Sequence, residues 1–367
     1  MQRILVVKLA DIGDVLTATP ALRALRHTFP HAQITALVPP HCRTILQGTP
    51  LVDRLILFDK RPFDSSAGLL RPAGAAGLGA LAVRLRREHF DAVVLLHHLT
   101  TPWGARKYAA LTMATGAPVR AGLDNGRGSF LTHRAADEGF GAHHEVEYCN
   151  KVVELLGVEP DLGPMTFPID ETDFAHADIL LANHAARPRV VMHAGSGAFS
   201  IARRWPIDRF IEVANRLSAQ GATIVVVGGL DEANLGRTLA DAVGPSLLDL
   251  TGRTTLRQLG AVIQRSDALL SNDSGVMHIG AAVGTPVVAI FGPSNHQAWG
   301  PWTPAGTNAI VLRSELPCSP CFYTGHSLGT PEGCPERTCL QLVTPDLVVT
   351  AIERVLEQTR VVLDTGR

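Results

Sequence analysis

Residues 3–39 read RILVVKLADIGDVLTATPALRALRHTFPHAQITALVP, and the reading of this stretch decides the fold. Residues 3–8 (RILVVK) are a continuous apolar, β-rich run, residues 15–29 (VLTATPALRALRHTF) space their apolar side chains at helical intervals, and residues 33–39 (QITALVP) return to strand. A strand without polar alternation is buried on both faces, and two such strands joined through a helix form a parallel pair. The pattern continues outward. RLILFD (54–59) and DAVVLLHH (91–98) read as further buried strands, separated by a Gly-, Ala- and Pro-rich stretch (66–80) and the helical GALAVRLRREHF (79–90).

After a helix over 144–158 (HEVEYCNKVVELLGV), the segment EPDLGPMTFPID (159–170) has three prolines and little periodicity, as an interdomain linker does. The alternation then restarts, with strands at 189–195, 222–229, 246–252, 268–273 and 286–293 and helices near 206–219, 231–243, 255–265 and 275–283. The chain therefore reads as α/β, with two Rossmann-like doubly wound domains facing across a cleft. Their expected bounds are 1–160 and 161–345, followed by a C-terminal helix over 346–367 that packs back on the N-terminal domain.

Composition narrows the function classes. At 367 residues, with 46% hydrophobic and 18% charged residues, the chain has material for two ample cores. A formal net charge of -1 gives no general attraction to nucleic acid, which is not an expected partner. The N-terminal apolar run is short and followed at once by charge, unlike a signal peptide, and no later segment is apolar over the ~18 residues of a membrane span. A cytoplasmic protein is expected. In that reducing compartment, four cysteines between 318 and 339 point to metal or packing.

Open parallel sheets bind ligands beyond the carboxyl ends of their strands. KLADIGD (8–14) occupies such a place, with Lys8, Gly13 for close backbone approach, and Asp14, which reads either as a helix N-cap or as a general base. HAGSGAFSIARRWP (193–206) offers backbone N–H groups around Gly195, Ser196 and Gly197, and the cations Arg203 and Arg204. It lacks the Walker pattern, and an ordinary turn with solvated arginines fits it equally. SNDSGVMH (271–278) places Asp273, Ser274 and Gly275 at a strand-to-helix turn, where a helix start receives phosphate. His278, one turn further on, either touches that ligand or packs in the core. Ser274 lacks the G-x-S-x-G setting of a nucleophile, and the chain lacks the G-x-G-x-x-G fingerprint of a dinucleotide oxidoreductase. Cys318, Cys321, Cys334 and Cys339, spaced C-x2-C and C-x4-C, can close a tetrahedral structural zinc site or serve as packing or disulfide cysteines.

Two motifs together, VVKLADIGDVLTATPALRALRHTFP (6–30) and SNDSGVMHIGAAVGTPVVAIFGPS (271–294), resemble the bacterial lipopolysaccharide heptosyltransferases of glycosyltransferase family 9. The resemblance covers nearly the whole chain and implies a GT-B fold with an acceptor-binding N-terminal domain and a C-terminal domain for ADP-heptose. It implies that Asp14, closing the K-x-x-x-x-G-D motif begun by Lys8 and Gly13, is the catalytic base of an inverting transfer. It further implies that Ser196, Gly197, Arg203, Asp273, Ser274, Gly275 and His278 bind the donor, Arg203 standing where many members have lysine. The implied acceptor is the lipopolysaccharide core or a lipid A-linked glycan at the cytoplasmic face of the inner membrane; basic residues of the N-terminal half such as Arg61, Arg71, Arg106 and Lys107 either meet its phosphates or carboxylates or are solvated surface. No cofactor is required by this chemistry, with magnesium assistance and structural zinc left open. The alternatives are a GT-B transferase using another nucleotide sugar, and a non-catalytic nucleotide- or glycan-binding relative.

Overall fold

The structure is a computed structural model that describes residues 1–61, 72–197, 199–303 and 308–365, with backbone alone for 72–76 and 359–365. The chain divides into two units, one formed by Met1–Gly163 with Gly325–Ser327, the other by the remainder. The division falls inside the proline-bearing stretch 159–170.

In the first unit, β1 (Arg3–Val7), β2 (Gln33–Val38), β3 (Arg54–Leu57), β4 (Ala92–Leu95), β5 (Val119–Asp124) and β6 (His133–Ala136) form one sheet in the order β3-β2-β1-β4-β5-β6. Every pairing is parallel. The opening run becomes the central strand β1 because its apolar side chains are covered on both faces, Leu5 pairing with Thr35 on one side and Val93 on the other. Leu5, Val7, Leu37, Val93 and Leu95 share a core with Leu85, Phe90 and Leu131.

The helix expected over 15–29 is two helices, Ile12–Thr17 and Thr19–Thr28. Pro20 has no N–H to give the Leu16 carbonyl, and the Thr19 hydroxyl takes its place at 2.7 Å. The first helix also starts earlier than expected, so Gly13 lies in its first turn and is buried there, not in a loop.

The second unit repeats the plan. β7 (Arg189–His193), β8 (Thr223–Val226), β9 (Leu247–Asp249), β10 (Ala268–Asn272), β11 (Val287–Ile290) and β12 (Ala309–Leu312) are all parallel, in the order β12-β11-β10-β7-β8-β9. Counted from its first strand, each sheet has the 3-2-1-4-5-6 order of doubly wound nucleotide-binding folds, and each has one switch point, between β1 and β4 and between β7 and β10.

The C-terminal helix, Pro345–Thr365, belongs to the second unit. Val348, Val349, Ile352 and Val355 enter its core with Phe210, Val213, Val288 and Ile290. Its apolar spacing finds a match in the helix Ile207–Ala219 and the strands β10 to β12 beneath. Among the described residues, no helix is long and apolar enough to cross a membrane.

Candidate active site

At the switch point of the first unit, the loop after β1 carries a buried cation. Lys8 is 3% exposed, with Nζ 2.5 Å from Oε1 of Glu145 and 3.9 Å from Oδ1 of Asp14. Burial works against its charge, but Glu145, and more weakly Asp14, hold its pKa well above the ordinary lysine value. Asp14 is not the N-cap of the helix Ile12–Thr17. That position is Asp11, and Asp14 stands at N3 with Oδ2 accepting the Asp11 N–H at 3.3 Å. Its carboxylate is 27% exposed. Burial of the rest pushes its pKa up to about 6, with Lys8 pulling downward and Glu145 and Asp11 adding to the rise.

Glu145 opens the helix Glu145–Glu154, and its second oxygen, Oε2, lies 3.1 Å from Nε2 of His98. The other ring nitrogen of His98 is 3.0 Å from Oδ1 of Asp137. Against the pull of burial, Glu145 and Asp137 raise His98 to about 9, while Lys8 and His98, overcoming burial in turn, hold Glu145 down at about 2. His97 has a different task. Its Nε2 accepts the Leu9 N–H at 2.7 Å, and burial, with Lys8 nearby, keeps its pKa well below the ordinary value, so a neutral imidazole fastens the loop after β1.

The second unit has its own polar cluster between β7 and β10. Arg203 donates from Nη1 to Oδ2 of Asp273 at 3.2 Å and from Nη2 to the Ser196 carbonyl at 2.9 Å. Ser274 is the N-cap of the helix Gly275–Ala282 and accepts the Met277 N–H at 3.4 Å. Its Oγ is also 3.0 Å from Nδ1 of His193, whose Nε2 lies 2.9 Å from Oε2 of Glu232. The N–H groups of Ser196 and Gly197, at 3.1 and 3.2 Å, both point to Oε1 of Glu232, and Gly229 N–H reaches Oε2 at 3.2 Å. The glycine-rich loop thus already cradles an anion, a carboxylate of the chain itself. Burial opposes charge on Glu232, yet His193 and these backbone donors hold it down at about 2. A side chain at Gly195 would drive its Cβ to 1.9 Å from Glu232 Oε1, so this glycine is needed for close approach. His278 is buried in that helix at 3% exposure.

Asn272, last in β10, ties the two loops together: its amide donates to the carbonyls of Ala194 and Gly195, both at 3.0 Å, and its Oδ1 accepts the Trp205 N–H at 2.9 Å. The expected residues Lys8, Gly13 and Asp14 gather in the first unit. Ser196, Gly197, Arg203, Asp273, Ser274, Gly275 and His278 gather in the second. Of the basic residues, Arg61 is engaged with Asp59 at 2.7 Å, Arg106 is exposed, and Arg71 lies outside the described residues.

Sequence reasoning passed over Glu145, His97, His98, His193 and Glu232. A signal was present for four of them, since the His97–His98 pair, His193 and the Gly228–Gly229 turn before Glu232 all lie at or just beyond the carboxyl ends of strands. Glu145 gave none, because an acid in the first turn of a helix reads as a partner of the helix dipole.

The four late cysteines, read as zinc ligands or as packing or disulfide cysteines, all lie in the second unit. Among the described residues, no three His, Cys, Asp or Glu side chains are placed to share a metal ion. Cys318, Cys321 and Cys334 are exposed, Cys339 is buried, and all four are free thiols. Cys334 Sγ accepts the Arg337 N–H at 3.3 Å.

Two sheets of doubly wound order in one chain, each with a polar cluster at its switch point, are the architecture of GT-B glycosyltransferases. Comparison with known proteins agrees. The model of "Glycosyltransferase family 9 (heptosyltransferase)" matches residues 78–330. Lipopolysaccharide heptosyltransferase 2 of Escherichia coli (strain K12) is 26% identical over 316 residues, covering 80% of this chain and 83% of the relative. Lipopolysaccharide heptosyltransferase 1 of Pseudomonas aeruginosa is 25% identical over 327 residues, covering 87% and 86%. The solved structure of Escherichia coli ADP-heptose lipopolysaccharide heptosyltransferase II superimposes with a TM-score of 0.74 at 22% identity, covering 98% of this chain and all of that one. The chain belongs to glycosyltransferase family 9, and it is a glycosyltransferase of GT-B fold.

Proposed function

We propose that the protein transfers L-glycero-D-manno-heptose from its ADP-activated form to the lipopolysaccharide inner core, or a related glycan, with inversion at the anomeric carbon. Asp14 carries this reading. Its carboxylate is part-exposed at a strand's carboxyl end, and a pKa near 6 leaves it ionised at neutral pH while making it a stronger base than a free aspartate. In the proposed step it takes the proton of an acceptor hydroxyl as that oxygen attacks the anomeric carbon. The bond from that carbon to the diphosphate breaks on the opposite face, and ADP leaves with the electron pair.

Arg203 and the start of the helix Gly275–Ala282 meet the charge that grows on the leaving diphosphate, with Asp273 holding Arg203 in place. Because Glu232 already receives the Ser196 and Gly197 N–H groups, these two residues shape the loop around Arg203 through the Ser196 carbonyl. The reaction is written without a metal ion or other cofactor. The relatives' names give the acceptor as lipopolysaccharide or lipooligosaccharide, and we accordingly place the protein in the cytoplasm, in peripheral contact with the inner membrane that presents such a glycolipid.

The test is Asp14→Asn, which keeps size and removes basicity. Turnover of ADP-heptose is expected to fall by about 10²- to 10⁴-fold, the usual worth of a positioned base, while ADP binding stays within about two-fold. Unchanged turnover would contradict the assignment.

A further inference from the structure

Glu145 is a carboxylate that no part of the proposed transfer consumes, yet both of its oxygens are engaged in the interior at 4% exposure. Oε1 takes the Lys8 ammonium at 2.5 Å and Oε2 faces Nε2 of His98 at 3.1 Å. His98 is held from its other nitrogen by Asp137, whose Oδ1 also accepts the Gly139 N–H at 3.0 Å and whose Oδ2 accepts from Asn125 at 3.2 Å. The rings of Phe140 and Tyr148 enclose His98 at 4.4 and 4.7 Å between centroids. The result is a fixed buried row, Asp137, His98, Glu145 and Lys8, with two anions and two cations. Asp14 stands at its end, 3.9 Å from the same ammonium.

We propose that Glu145 is a positioning residue for Asp14: by claiming the Lys8 ammonium in a close ion pair, it keeps that cation from closing on Asp14 and so preserves Asp14 as a base. This rests on the reading of Asp14 as the base. The Lys8 ammonium has three N–H donors but sits unequally between two carboxylates, 2.5 Å from Glu145 Oε1 and 3.9 Å from Asp14 Oδ1. A carboxylate in direct contact with an ammonium loses basicity, because an opposite charge at such range favours its ionised form. With Glu145 in place, Lys8 orients Asp14 from a distance without quenching it. The other ionisable groups around Asp14 do not substitute for this. Asp11 shares its helix start and adds negative charge, Lys60 beyond β3 pulls weakly the other way, and the thiols of Cys42 and Cys149 are raised by burial and stay neutral.

The experiment is the pH profile of kcat at saturating donor and acceptor for the wild type, Glu145→Gln, Glu145→Asp, Lys8→Met and Asp14→Asn, with each variant's melting temperature as a folding control. In Glu145→Gln, the acidic limb moves to lower pH by about one unit, the lower end of what a freed charge at this range produces, and the plateau falls several-fold. Glu145→Asp, which keeps the charge, restores the limb toward its wild-type position. Lys8→Met moves the limb the opposite way, to higher pH, and the Lys8→Met/Glu145→Gln double variant, which shows a smaller downward shift relative to Lys8→Met than Glu145→Gln shows relative to wild type, separates restraint of Lys8 from direct repulsion between the two carboxylates. A limb that stays in place in the folded variants, or whole profiles that merely scale down, overturns the proposal and leaves Glu145 a structural residue. Full activity in Asp14→Asn would overturn the base assignment itself, whereas lost activity there with an unmoved limb in Glu145→Gln would overturn only the role of Glu145.

Discussion

Arg203 and Asp273, seventy residues apart in the chain, meet through Nη1 and Oδ2 at 3.2 Å, at the carboxyl ends of neighbouring strands in the second unit. A second bond, from Nη2 to the Ser196 carbonyl at 2.9 Å, fixes the plane of the guanidinium. A cation held this way loses little freedom when an anionic ligand arrives, which is how a prearranged group favours binding. Replacing Arg203 with alanine should weaken ADP binding by about ten-fold or more, since hydrogen bonds to charged groups are worth about 1.5–3 kcal/mol. Arg203→Lys should fall between, keeping the charge and losing the fork. Calorimetric titration with ADP checks both, and binding within two-fold of wild type in Arg203→Ala would remove Arg203 from the donor site.

Ser274, His193 and Glu232 form a second relay. Glu232 is ionised and only accepts, so Nε2 of His193 donates to it, while Nδ1 of the same ring lies 3.0 Å from the Ser274 Oγ. Ser274→Ala removes both that bond and the cap on the Met277 N–H. We expect a loss of about 1–2 kcal/mol, measured as a lower urea midpoint at unchanged slope. An unchanged midpoint would mean that neither bond stabilises the fold.

His98 makes stability depend on pH with a definite sign. Its folded pKa of about 9 lies above the ordinary 6.5, so its contribution is complete below pH 6.5 and is lost as pH rises through 9. Glu145, at about 2 against an ordinary 4.5, contributes fully above pH 4.5 and loses this as pH falls through 2. The row is therefore strongest between pH 4.5 and 6.5. Melting temperatures of wild type and His98→Gln should differ most below pH 6.5 and converge toward pH 9, and curves that stay parallel across that range would contradict the charge on His98.

Trp205 is fully buried, and its indole N–H donates to the Val343 carbonyl at 2.9 Å, joining the arginine loop to the segment before the C-terminal helix. Arg209 donates to the same carbonyl at 2.7 Å, so Trp205→Phe leaves that oxygen satisfied. The cost should then come from lost volume and one lost bond, about 1–3 kcal/mol, and not from an orphaned acceptor. Chemical denaturation of Trp205→Phe, Arg209→Ala and the double variant should show the double losing more than the two singles combined.

Much of this was legible in the sequence, for physical reasons. A central parallel strand must be apolar on both faces, so RILVV, RVVMH and ALLSN declared themselves. Strands at or next to a sheet's edge need not be. β5 (VRAGLD) and β6 (HRAA) carry charge and small residues on part-exposed faces and gave no strand signal. The helix break at Pro20 was available from the missing N–H alone. The paired acids and histidines of the interior were not, because Glu145 meets Lys8 across 137 residues and Glu232 meets His193 across 39, and only the folded topology brings them together. The fate of the C-terminal helix was equally hidden, since an apolar stripe says that a helix is covered but not by which sheet.

The central claim is that this chain moves a heptose from an ADP-linked donor with inversion. The most direct measurement is incubation of the purified protein with ADP-heptose and a heptose-acceptor core glycolipid, with the product followed by mass spectrometry and the new anomeric linkage assigned by NMR. The account predicts a product heavier by one heptose, of anomeric configuration opposite to that of the donor. Retained configuration, or turnover of a UDP-hexose with none of ADP-heptose, would contradict it.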